Sequence, residues 1–137
     1  FIIQYKRRVM NDRTIELKNI IATVRLYTEG LRTGNVELLR KAFHPKAMMY
    51  GVSPNAVTAV EIDGMYQYVA GNKPPSSTGE PYEFCITAIH QAGNAARVEM
   101  VEESAYGNNY TDYFQLLKID GEWVIVSKAY NGNPSKK

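Results

Sequence analysis

Cysteine, histidine and charge of one sign are what this 137-residue sequence has least of. Its single cysteine, Cys85, allows no internal disulfide and fits a reducing, cytoplasmic setting. Two histidines, His44 and His90, are with that cysteine too few for a zinc site of ordinary ligands, so no metal is expected. Lys plus Arg (16) against Asp plus Glu (14) leaves a net charge of +2. That balance is too even for a partnership with nucleic acid or an anionic membrane. No apolar run approaches the ~20 residues of a membrane span. There is no glycine-rich phosphate loop, nucleophile elbow or paired catalytic cysteine and histidine, and no cofactor is expected.

What is present is an ordinary globular composition, 45% hydrophobic and 22% charged, at the length of one domain. The sequence begins without methionine, and Met10-Asn11-Asp12-Arg13 reads as a translation start. Residues 1–13 are therefore expected to be an N-terminal extension, 14–131 the domain and 132–137 a tail. Lys6-Arg7-Arg8 and Lys136-Lys137 read as solvated charge clusters.

Leu17, Ile20, Ile21, Val24, Tyr27 and Leu31 recur at helical spacing and predict one apolar face, with Asp12 or Thr14 capping its start. Ile15, Ala22 and Leu26 form a thinner stripe opposite. Gly34 is placed to end this helix in a left-handed turn, and Asn35 to cap a second one over 36–43. His44-Pro45 stops that helix. Strands are predicted over 47–52 and 57–62, then a third helix over 65–70 with Met65, Tyr68 and Val69 buried. The polar, proline-rich stretch 71–79 reads as a loop able to border a site. Everything after it is strand-like: 82–91, 95–106, 110–119 and 122–130, separated by glycine- and asparagine-bearing turns. A two-residue Asp120-Gly121 turn would place Leu116 opposite Ile125, Phe114 opposite Ser127 and Asp112 opposite Ala129. The order, helices first and then a four-strand meander, gives an α+β fold with helices on one face.

Several short motifs in this order resemble the nuclear-transport-factor-2-like superfamily, and within it the lumazine-binding branch. They are Tyr27-Thr28-Glu29-Gly30, Phe43-His44-Pro45-Lys46-Ala47, Asp63-Gly64-Met65, Ala95-Ala96-Arg97-Val98 and the long segment from Asp112 to Lys128. The resemblance spans about residues 14 to 131. It implies three helices packed on a strongly curved antiparallel or mixed sheet, a cone with a pocket at its open end. It also implies a homodimer formed through the outer sheet face. Members of the superfamily include isomerases, dehydratases, hydrolases and non-catalytic binding or assembly modules, so fold alone does not settle function.

Asp112 is the carboxylate that stands out, because it shares a strand face with Phe114 and Leu116. Apolar surroundings raise a carboxyl pKa by penalising the charged form, which suits a general acid or base. Its alternative is a structural aspartate paired with Lys128 or a tyrosine hydroxyl. His44 is the second catalytic candidate, against a plain role at a helix end. His90 reads as a surface cross-strand residue and Cys85 as a small buried hydrophobe. Tyrosine and methionine are enriched on the elements expected to form the cavity. They suit a small, mostly apolar or aromatic ligand, contacted by Tyr27, Met48, Tyr50, Met65, Tyr68, Phe114 and Trp123. Met49 and Tyr66 lie on the same elements. Three functions follow: a small-ligand-binding protein, a metal-independent lyase or isomerase using Asp112, or an assembly module with no ligand.

Overall fold

The computed structural model describes residues 2–135, with side chains from residue 12 onward. Phe1 and Lys136-Lys137 lie outside the described residues, as do the side chains of Lys6-Arg7-Arg8. The predicted apolar face becomes one side of α1 (Ile2–Thr33), where Ile20, Val24, Tyr27 and Leu31 are buried. This helix passes through Asp12 and Thr14 without a break, so neither residue caps its start. Gly34 ends it at φ +71°, in the left-handed region that favours glycine. Asn35 then caps α2 (Val36–Ala42), its side-chain oxygen accepting from the backbone N–H groups of Glu37 and Leu38.

The chain turns directly into β1 (Phe43–Ser53), followed by β2 (Ala56–Glu61) and α3 (Asp63–Gly71). The stretch read as a loop contains a short helical turn, α4 (Pro75–Thr78). Pro74 packs against Gly34 and Pro75 is buried, so the segment is pinned beside α1 and does not line the pocket described below. The meander follows as β3 (Glu83–Ala92), β4 (Ala95–Ala105), β5 (Asn108–Ile119) and β6 (Glu122–Pro134). Residues 132–134, expected in the tail, thus belong to a strand.

The six strands form one open, mixed sheet in the order β2-β1-β6-β5-β4-β3. All neighbours are antiparallel except β1 and β6. Asp120 and Gly121 both have positive φ, 50° and 82°, as a hairpin turn matched to strand twist requires. The helices cover the inner sheet face, where Val98, Met100, Phe114, Leu116, Trp123 and Ile125 meet Ile20, Val24 and Leu39. Glu16 locks α1 to the sheet end by accepting from Lys118 Nζ (2.6 Å) and Trp123 Nε1 (2.8 Å).

One register prediction is corrected. Leu116 does face Ile125, but β6 carries an extra residue, Val126, so Gln115 pairs with Ser127, Phe114 with Lys128 and Asp112 with Tyr130. Such a bulge shifts every later side chain to the other face. Trp123 and Ile125 point inward before it, and Lys128 after it.

Candidate functional site

The bulge places a lysine on the floor of a pocket. The cavity, about 310 Å³, opens between the second half of α1, α3 and the far ends of β4, β5 and β6. Five tyrosines line it: Tyr27, Tyr68, Tyr106, Tyr110 and Tyr130. Leu31, Met49, Met65 and Val69 add aliphatic wall, and Thr58 and Val60 of β2 close another side. Lys128, with its side chain only 7% exposed, is the cation among the lining residues.

Two of the tyrosines are seated on glycines of the neighbouring strand. Tyr130 lies opposite Gly51 and Tyr110 opposite Gly132. A Cβ at Gly51 would fall 2.1 Å from the Tyr130 ring, and one at Gly132 would fall 2.7 Å from Tyr110. Only glycine leaves room for rings laid across the strand in this way. The two rings meet edge to face at 5.3 Å, and with Tyr27 they surround the Lys128 ammonium at 5.0, 5.8 and 5.1 Å. Electron-rich ring faces hold a desolvated cation at such distances.

At the rim, Tyr68 is about half exposed and contacts Tyr106 edge to face at 5.8 Å. Tyr106 sits in the β4–β5 turn, whose backbone N–H groups at Tyr106 and Gly107 donate to the Glu80 carboxylate (3.0 and 2.7 Å). Its own hydroxyl donates to the Leu31 carbonyl (2.7 Å). Burial pushes the Tyr106 phenol up to about 12 and raises those of Tyr68 and Tyr110. These rings therefore meet a ligand as neutral hydroxyls.

Behind Lys128 stands Asp112, with no accessible surface and Oδ1 3.7 Å from Nζ. Neither carboxyl oxygen has a hydrogen-bond partner. Glu102, also buried, is two residues along β4 from Met100, the residue opposite Asp112, and so shares the inner face with it. Glu102 accepts from Tyr27 Oη (3.0 Å) and Tyr82 Oη (2.5 Å). Two buried acids thus lie beside one cation, and full ionisation would leave an excess negative charge. Glu102 has two donors to hold its charge and Asp112 has none. The proton accordingly favours Asp112, whose pKa is driven well above the ordinary carboxylate range by burial and by the Glu102 charge. The opposing pull of Lys128 is smaller.

The pocket brings together Tyr27, Met65 and Tyr68 of the candidate ligand-binding residues, with Asp112 one layer behind. The others lie elsewhere. Phe114 and Trp123 are buried in the core away from the cavity. Met48 and Tyr50 occupy the outward positions of β1, where Ala47, Met49 and Gly51 point in, so Met49 takes the lining position. In α3, Tyr66 is buried with Met65 and Val69, whereas Tyr68, expected to be buried, is half exposed. His44 lies outside the pocket at the entrance to β1, where its Nδ1 accepts from the Lys46 backbone N–H (3.0 Å). His90 is exposed opposite Arg97, as expected. Cys85 is exposed rather than buried, because β3 is an edge strand and residue 85 faces outward. Among the described residues there is no group of three or more His, Cys, Asp or Glu able to hold a metal ion. Nor is any helix long and apolar enough to cross a membrane.

Sequence reasoning passed over Glu102 and understated Lys128. Glu102 was signalled by the alternation Val98, Met100, Glu102. Lys128 was hidden by the bulge, whose only trace is the unbroken apolar run Trp123-Val124-Ile125-Val126.

Comparison with known proteins agrees with this architecture. A family described as "Putative lumazine-binding" matches residues 16–131. A curated protein from Cladobotryum sp., aldolase FrzH, is 28% identical over 120 residues, covering 87% of this chain and 93% of its own. Among solved structures, an NTF2-like protein of unknown function from Shewanella baltica OS155 is 30% identical with a TM-score of 0.80. The match covers 89% of this chain and 97% of the other. An NTF2-like protein of unknown function from Methylobacillus flagellatus KT is 25% identical with a TM-score of 0.78, covering 85% and 91%. The family points to a small-ligand-binding domain. An open mixed sheet with helices on its inner face, matched along nearly its whole length, places this chain in the lumazine-binding branch of the NTF2-like superfamily.

Proposed function

We propose that the pocket takes a small, largely apolar or aromatic carbonyl compound and acts on it as a metal-independent lyase or isomerase. The observation that carries this reading is the Lys128–Asp112 pair at the floor of a tyrosine-walled cavity. The apolar walls hold the body of the ligand, and Lys128 is the polar group that meets its carbonyl oxygen. Making or breaking a carbon–carbon bond beside a carbonyl builds negative charge on that oxygen, which a fixed cation in a dry site stabilises. Asp112 has no surface of its own, so it moves protons through Lys128 rather than touching the ligand. The similarity to a protein called an aldolase supports this class of chemistry.

The test is a thermal-shift screen of aromatic ketones and aldehydes, with pterins and flavins alongside, followed by aldol and retro-aldol assays on the compounds that stabilise. Stabilisation by carbonyl compounds and turnover lost in Lys128→Met support the reading. Absence of any stabilising compound defeats it.

We also propose that the chain is a homodimer in the cytoplasm, paired through the outer sheet face. There Tyr50 and Val52 of β1, Tyr113 of β5 and Val101 of β4 are 36–51% exposed, apolar side chains of the kind that mark an interface. Sedimentation that returns a monomer would refute the pairing.

A further inference from the structure

Lys128 differs from a lysine that merely donates a hydrogen bond. Its Nζ lies at the end of a cavity otherwise walled by rings and aliphatic groups, is shielded by three aromatic faces, and has a proton-holding carboxyl 3.7 Å away. A lysine nitrogen facing a ligand cavity, beside a carboxyl that can exchange protons with it, is placed to act as a nucleophile. We propose that Lys128 forms a covalent imine with the carbonyl carbon of its ligand, with Asp112 as the proton carrier. This rests on the reading that the pocket accepts a carbonyl compound.

The chemistry balances without a co-reactant. The Lys128 ammonium gives one proton to the carbonyl oxygen, and the amine this leaves attacks the carbonyl carbon to form the C–N bond. Asp112 lies behind Nζ and carries protons to and from that nitrogen only. The carbinolamine C–O bond then breaks and the oxygen leaves as water, its second proton coming from the nitrogen. The nitrogen lone pair closes the C=N bond. Ammonium plus carbonyl has become protonated imine plus one water, with nothing oxidised or reduced. The protonated imine withdraws electrons from the adjacent carbon, which is the requirement for bond making or breaking there.

The experiment uses the intact protein with phenylacetone and sodium cyanoborohydride, read by intact mass and peptide mapping. Ketone binding is followed separately by thermal shift without reductant. The expected result is one reduced adduct on Lys128, formed at least ten-fold faster than on any other lysine. The non-electrophilic alcohol 1-phenylpropan-2-ol should slow it by filling the same pocket. Lys128→Arg should keep the thermal shift and lose the adduct, and Asp112→Asn should keep the shift and slow adduct formation. Should the arginine variant not fold, the alcohol competition in the wild-type protein carries the test. A ketone that stabilises the protein but labels surface lysines as readily as Lys128 overturns the imine and leaves the pocket reading standing. A ketone that neither stabilises nor labels overturns both.

Discussion

Replacing Asp112 by asparagine decides whether this buried acid is a neutral group or half of an ordinary ion pair. The side chains have nearly the same shape, and asparagine is fixed in the uncharged state. A native carboxyl with a raised pKa binds its proton more tightly than the unfolded chain does, so ν_N exceeds ν_U and stability falls as pH rises. The stability is fully present below the unfolded pKa and is lost as pH climbs to the folded one. The slope is about 1.4 kcal/mol per pH unit while the native group stays protonated and the unfolded one is ionised. Each pH unit over which the unfolded aspartate is ionised while native Asp112 keeps its proton costs the wild type about 1.4 kcal/mol relative to Asp112→Asn. The assay is urea unfolding at half-unit pH steps, followed by the fluorescence of Trp123, the only tryptophan and a buried one. Carboxylates remote from Asp112 are common to both proteins and cancel in the difference; Glu102, whose charge acts on Asp112, does not. The gap should open in favour of the asparagine variant as pH rises, then flatten where native Asp112 ionises. Parallel curves would mean that Asp112 titrates like a surface residue. A gap opening in the other direction would mean that Lys128 holds it as a carboxylate. Either outcome refutes the placement of the proton argued above.

Gly51→Ala should drive the Tyr130 ring off its seat and cost about 1–3 kcal/mol by overpacking, because the new Cβ falls 2.1 Å from the ring. Ligand affinity should fall with it in the thermal-shift assay, whereas Gly71→Ala, with nothing within 4 Å, should leave binding unchanged. Tyr27→Phe removes one of the two hydroxyls donating to buried Glu102 and should cost about 1–3 kcal/mol in urea unfolding. Glu16, whose pKa is lowered first of all by the hydrogen bond from Lys118, contributes stability above its unfolded pKa and loses it as pH falls through the folded one. The destabilisation by Glu16→Gln should therefore be largest near neutral pH and shrink on acidification, as read by Trp123 fluorescence.

Much of this architecture is local and was open to sequence reasoning. The spacing of Ile20, Val24, Tyr27 and Leu31 specifies a helix face because 3.6 residues make a turn whatever lies opposite. Gly34 and Asn35 end one helix and start another through their own backbone preferences. The Asp120-Gly121 turn fixes the first four pairs of the last hairpin, and alternation along β5 turns Asp112 inward with Phe114 and Leu116. What failed also has physical causes. Met48 and Tyr50, expected inward, lie outward, because an apolar run such as Ala47-Met48-Met49-Tyr50 does not state its parity. The packing of β1 against the helices does. Tyr68 lies half exposed at the pocket rim because α3 is short and its orientation is set by the core it covers.

The site itself was decided in three dimensions. Residue types alone mark Asp112 as an acid in apolar company, and the tyrosines as candidates for lining a cavity. Only the tertiary structure sets the bulge at Val126, which turns Lys128 from the outer face to the inner one. It also brings Glu102 in from a strand hydrogen-bonded beside β5, and opens Gly51 and Gly132 as seats for rings on neighbouring strands. A strand's face depends on register, and register is a property of two chains laid side by side, which no single stretch of sequence carries.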